Sequence, residues 1–174
     1  MARKLAAILI LILLLAAAAY FWYLRQQHYA ELAAHWLARD CTVTDQAALE
    51  TEIRDAGEAL EPLFLQAFAN GPPQREMDAL LASIDRIYSR RQQRVRAGKA
   101  YQEPGMANSL SLPDEKQQAK NNFDHGYRAA ALNALRIIGR SKGVELLRRL
   151  AAQDSASPFQ YLARLALQRQ PVKR

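Results

Sequence analysis

The stretch Leu5–Tyr23 reads LAAILILILLLAAAAYFWY, 19 residues without a charge. At about 1.5 Å of rise per residue, a helix of that length spans close to the ~30 Å hydrocarbon core of a bilayer. Lipid offers the backbone no hydrogen-bond partner, so a helix is the expected form. The segment is apolar on every face, so a membrane span is expected over a buried helix of a soluble protein. Tyr20, Phe21, Trp22 and Tyr23 cluster at one end. Amphipathic rings prefer the headgroup level, so this cluster is expected to mark the membrane interface.

Arg3 and Lys4 lie in the short basic stretch 1–4, ahead of the apolar run, and Arg25 follows it. The basic bias and the N-terminal position place the N-terminus in the cytoplasm and the rest of the chain in the periplasm or outside the cell. The same segment has the outline of a secretory signal, with Ala17–Ala19 offering a cleavage site. Against cleavage near Ala19, the apolar run continues through four aromatic residues beyond it. A mature chain would then begin on an exposed Tyr-Phe-Trp-Tyr. The sequence therefore predicts a single-pass anchor over residues 5–23, with secretion after cleavage as the alternative.

Setting the anchor aside leaves roughly 150 residues, enough for one domain with a core. Half of the chain is hydrophobic and 24% is charged, a globular composition. Ala, Leu, Gln and Arg recur, Gly is sparse, and no alternating β-branched run is present, so the predicted class is all-α. One transmembrane helix is expected to lead into a small irregular helical-repeat or bundle domain over residues 41–174. With Arg3 and Lys4 set aside from the formal +7, the remainder carries +5. That excess is ordinary for solubility and also compatible with an anionic partner. The single cysteine, Cys41, excludes an intramolecular disulfide and any cysteine-based metal motif. It is expected to be a buried structural residue.

Residues 24–40 read as an amphipathic stem continuing the anchor. Tyr29, Ala30, Ala33, Ala34, Trp36 and Leu37 share one side, opposite Arg25, Gln27, His28, Glu31, His35 and Arg39. A helix capped at Thr44 or Asp45 is then expected to run to Ala56, with Leu49 and Ile53 inward and Gly57 as its break. Another should cover Glu58–Asn70, with Leu60, Leu63, Phe64, Ala67 and Phe68 inward and Pro62 in its first turn. Asn70-Gly71-Pro72-Pro73 is a stop signal. A helix over Gln74–Arg96 should bury Met77, Leu80, Leu81, Ile84 and Ile87. Residues 97–111 are irregular. Ser111, Pro113 and Asp114 start a further helix, expected to be interrupted near Asn121–Gly126 with Asp124 as a new cap. Tyr127–Ile138, Val144–Gln153 and Phe159–Gln168 complete the chain, with a turn over Gly139–Gly143.

The segment YRAAALNALRIIGRSKGVELLRRLAAQDSASPFQYLARLAL resembles a HEAT-type helical repeat followed by the first helix of another. A shift of 32 residues aligns Ala131 with Ala163, Ala134 with Ala166, Leu135 with Leu167 and Tyr127 with Phe159. Small alanines where helices cross and leucines elsewhere suit stacked helical pairs. The resemblance covers the C-terminal third. It implies an interaction scaffold without catalysis, by analogy of fold.

Four constellations carry chemistry worth weighing. His28, Glu31 and His35 lie at i, i+3 and i+7 on the stem, where imidazole and carboxylate can hold a divalent metal. They are also what the wet face of an amphipathic helix contains. Asp124 and His125 are adjacent, so their side chains diverge, and no glycine-flanked serine accompanies them. Cys41 lacks a well-placed histidine. Arg86, Arg90 and Arg94, spaced by four, form a stripe with Arg91, Arg96 and Lys99 alongside. It could contact an acidic partner, phosphate headgroups or an anionic polymer. Tyr88 is the one aromatic within it, which disfavours single-stranded nucleic acid. No phosphate loop, dinucleotide fingerprint or zinc-protease helix is present.

The expectation is a non-enzymatic, membrane-anchored helical interaction module with no cofactor and no metal. Its partners would be the bilayer and a membrane or envelope protein, as an assembly factor or accessory subunit. The alternative is a binder of anionic lipid or envelope polymer through Arg86–Lys99. A metal-dependent enzyme built on His28, Glu31 and His35 ranks third.

Overall fold

The structure, a computed structural model, describes residues 2–38, 43–97, 111–153 and 157–168; for 2–8, 43 and 44 it describes the backbone alone. Among the described residues there are six helices and no strand. They are α1 (Ala2–Ala38), α2 (Val43–Asn70), α3 (Gln74–Arg96), α4 (Leu112–Ile138), α5 (Ser141–Ala151) and α6 (Pro158–Gln168). Chain contacts divide the molecule into two compact units. Unit 1 comprises Met1–Leu65 and Leu132–Arg174, and unit 2 comprises Gln66–Ala131.

Unit 1 holds α1, most of α2, the end of α4, and α5 and α6. Helix α1 runs for 37 residues, about 55 Å at the standard rise. The stretch Leu9–Ala38 is long and apolar enough to cross a membrane by length and composition. The helix is longer than the ~30 Å hydrocarbon core of a bilayer. Leu9–Leu15 and Tyr20–Leu24 are exposed, whereas Tyr29, Leu32, Ala33, Trp36 and Leu37 are buried. The expected stem face therefore shifts slightly. Leu32 is in the core, and Ala30 and Ala34 are exposed. A leucine gains more from burial than an alanine, so the larger side chain sets the buried arc.

Helix α2 joins the two predicted helices across a kink at Gly57, which has non-helical φ/ψ of 16° and −86°. Its start lies at Val43, so Asp45 falls in the first turn, where its charge favours the helix dipole. Pro62 lies within the helix. Leu49, Ile53, Leu60 and Phe64 supply its buried face. The turn after α4 is shorter than expected: α5 begins at Ser141, and Gly143 is a buried helical residue. A Cβ there would meet the Leu135 side chain at 3.1 and 3.2 Å, so this glycine permits a close approach of α5 to α4. The Gly143 N–H donates to Oε1 of Glu61 at 2.7 Å. Glu61, a buried acid of α2, thus serves an orphan donor in the first turn of α5, whose N-cap residue Arg140 provides no side-chain cap. Leu147 and Leu150 of α5 and Ala163 and Ala166 of α6 complete the core, and α5 packs against α6.

Unit 2 holds the tail of α2, α3 and most of α4. The α2 stop forms as expected: Gly71 adopts φ 74° and its N–H donates to the Ala67 carbonyl at 2.9 Å. Helix α4 opens on Ser111, whose hydroxyl donates to Asp114 at 2.5 Å. It then continues without the interruption expected at Asn121–Gly126. Asp124 is not a cap. Its carboxylate accepts from Arg128 Nε at 3.0 and 2.9 Å, one turn on. Arg128 also donates through Nη1 to the Phe68 carbonyl and, at 3.0 Å, to that of Ala69. It thereby satisfies the open carbonyls at the end of α2. Helix α3 has no buried residue. Met77, Leu80, Leu81 and Ile84 are half-buried, and Ile87, expected inward, is 55% exposed.

Candidate interaction surfaces

Helix α3 positions the basic stripe. Its apolar side chains center on one side, and Arg86, Arg90 and Arg94 follow one another at successive turns on another. Ile87 sits at the edge of the apolar arc, about 60° from its middle. That offset explains its exposure, since neighbours nearer the center occupy the space against the unit. Val95, at the last turn, lies near the middle of the apolar arc and is nevertheless 54% exposed.

The structure separates the predicted arginines. Arg91 Nη1 lies 2.7 Å from Glu115 Oε1 of α4, a pair that ties α3 to α4. Lys116 of α4 pairs with Asp85 of α3 in the same way, at 2.7 Å. Both pairs are partly exposed, and contacts of this kind contribute about 0–1 kcal/mol each. Arg86, Arg90, Arg94 and Arg96 are exposed, and among the described residues none pairs with them. Successive like charges at i,i+4 cost roughly 0.2–0.5 kcal/mol per pair in an isolated helix. The Arg86–Arg90–Arg94 series carries two such pairs without internal relief. Lys99 and Cys41 lie outside the described residues, as does the irregular segment beyond Ala97 up to residue 110.

Tyr20, Phe21, Trp22 and Tyr23 are all well exposed on α1. Just beyond them, the side chains brace one another: Gln27 donates to the Tyr23 hydroxyl at 2.5 Å, and Arg25 Nε donates to the Tyr29 hydroxyl at 2.6 Å. The Arg25 guanidinium also lies 5.4 Å from the Tyr29 ring centroid. From Tyr23 to Tyr29, the first buried side chain, is about 9 Å of helix.

His28, Glu31 and His35 lie on the exposed side of the stem, with the His28 ring 6.0 Å from that of Tyr29. Among the described residues no group of three or more His, Cys, Asp or Glu side chains is arranged to hold a metal. Asp124 pairs with Arg128, one turn on. Sequence reasoning missed Glu61 and the reach of Arg128. It also placed Ile87 on the wrong side of the burial line. The position of Ile87 at the margin of its arc, next to the arginines, was the available signal. Comparison with protein-family models, curated proteins and solved structures finds no match.

Proposed function

We propose that this chain is a membrane-anchored helical interaction module without catalytic activity, serving as an assembly factor or accessory subunit of a membrane or envelope complex. The observation that carries this reading is the dual character of α1. Its residues 9–24 are apolar and exposed, and its last third contributes five buried side chains to unit 1. Anchor and folded core share one helix, so the tether is short and stiff. Such a tether confines a binding surface to the bilayer and raises its effective concentration toward membrane partners. The short basic N-terminus favours a cytoplasmic start and a periplasmic module. The stacking of α5 on α6, and the close approach of α5 to Leu135, support a HEAT-like arrangement in the C-terminal third.

The test is affinity purification of the full-length chain from detergent-solubilised membranes. The reading predicts a stoichiometric partner that is retained when the His28, Glu31 and His35 side chains are replaced by alanine. Recovery of the chain alone from gently solubilised membranes would contradict it. Cleavage near Ala19 would leave the buried stem in place and remove the tether, so N-terminal sequencing of the mature chain is the companion measurement.

A further inference from the structure

We infer that the exposed arc of α3 bearing Arg86, Arg90 and Arg94, with Ile87 beside it, docks onto the anionic headgroups of the bilayer that holds α1. The inference goes beyond the partner-binding role: it gives the chain a second membrane attachment formed by lipid alone.

Three observations converge. The first is charge complementarity. The three arginines repeat at one-turn intervals, repel one another, and find no acid among the described residues. Nearby Arg91 does find one, Glu115, so the fold neutralises a cation where it needs a tie and leaves the stripe open. The second is an apolar neighbour. Ile87 is more than half exposed, and it falls with the three arginines within about a third of the helix circumference. Arginines whose aliphatic stems flank an exposed aliphatic residue match the interfacial zone of a bilayer, where phosphates sit above acyl chains. A soluble anion would use the arginines and leave Ile87 wet. The third is supply. The apolar span of α1 brings a bilayer to this chain, so the surface needs little intrinsic affinity to be occupied.

The experiment uses the full chain in nanodiscs of neutral phosphatidylcholine or of phosphatidylcholine with phosphatidylglycerol. An environment-sensitive fluorophore is placed on Ile87→Cys in a Cys41→Ser background. The expected result is blue-shifted emission shielded from an aqueous quencher in the anionic discs and not in the neutral ones. Salt of about 1 M, which shortens the screening length to about 3 Å, should abolish it. Replacing Arg86, Arg90 and Arg94 together by glutamine should weaken docking on the order of a hundredfold, whereas Arg91→Gln should leave it unchanged. Equal emission in both discs, or lipid-dependent shielding that survives the triple replacement, overturns the inference. Shielding in neutral discs on addition of a soluble polyphosphate assigns the stripe to a free anion, and shielding that requires added membrane protein assigns it to a protein; either overturns it. If the triple variant loses helicity by circular dichroism, the salt titration on the native arginines decides alone. No partner protein is present in the assay. Its failure leaves the partner-binding reading standing, and a failed co-purification leaves this one standing.

Discussion

Unit 1 and unit 2 bury their helices in different ways. In unit 1, Ile53, Leu60, Phe64, Leu135 and Leu147 are fully enclosed, and Glu61, the one buried acid among the described residues, is matched by a backbone donor. In unit 2, α3 has no buried residue and is joined to α4 by exposed ion pairs. Apolar enclosure is worth roughly 1.5–3 kcal/mol per large side chain, against about 0–1 kcal/mol for an exposed ion pair. Unit 1 is therefore expected to supply most of the stability, and unit 2 is expected to open locally at lower cost. The proposed docking surface lies on unit 2, where among the described residues Arg86, Arg90 and Arg94 are unpaired and Ile87 is exposed.

The largest expected effect is on unit 1. Deleting Ala2–Tyr23 removes the exposed span and should leave cooperative unfolding intact. Deleting Ala2–Ala38 also removes Tyr29, Leu32, Trp36 and Leu37 from the core. Four large buried side chains amount to about 6–12 kcal/mol, comparable to the whole stability of a typical domain. The longer deletion should abolish the urea transition followed by far-ultraviolet circular dichroism. A cooperative transition in both deletions would show that the stem is not part of the core of unit 1.

Point substitutions probe the same difference between the units. Phe64→Ala should cost about 3–5 kcal/mol, and Leu81→Ala on half-buried α3 about 1–2 kcal/mol. Equal losses in urea unfolding would mean that α3 is more tightly held than its exposure indicates. Glu61→Ala should cost about 1–3 kcal/mol by leaving the Gly143 N–H without its acceptor. Glu61→Gln keeps an acceptor oxygen and should lose less; a glutamine as damaging as alanine would show that the hydrogen bond is not what matters there.

The smallest effect concerns unit 2 at alkaline pH. Burial, and secondly the charge of Glu76, raises the Tyr127 pKa above its ordinary 10.0. The folded chain keeps a proton that the unfolded chain releases, so this contribution is full below pH 10.0 and is lost as pH rises through the elevated value. Tyr127→Phe should flatten the decline of stability above that pH in chemical unfolding. An unchanged slope would remove Tyr127 as its source.

Much of the helical framework was legible in the chain itself. The uncharged run to Tyr23, the Gly71-Pro72-Pro73 stop and the leucine spacing of α4–α6 all follow from local chemistry. What escaped depended on partners distant in sequence. The continuity of α4 through Gly126 goes with Arg128 reaching the carbonyls of Phe68 and Ala69, 60 and 59 residues away. Glu61 looks like any polar helix residue until α5 presents Gly143 to it. Within the candidate surface, spacing revealed the stripe. The division between a paired Arg91 and the unpaired arginines required the position of Glu115, 24 residues on. Ile87 was misplaced because an arc margin does not tell which neighbour fills the space.

One helix is proposed to serve as both bilayer span and core element of unit 1. Hydrogen–deuterium exchange of the full chain in nanodiscs tests this directly. Continuous amide protection is expected along α1, with Tyr29–Leu37 exchanging as slowly as the Ile53–Phe64 region of α2. Rapid exchange from Tyr23 through Leu37, beside a protected α2, would show a loose linker in place of a shared helix and would contradict it.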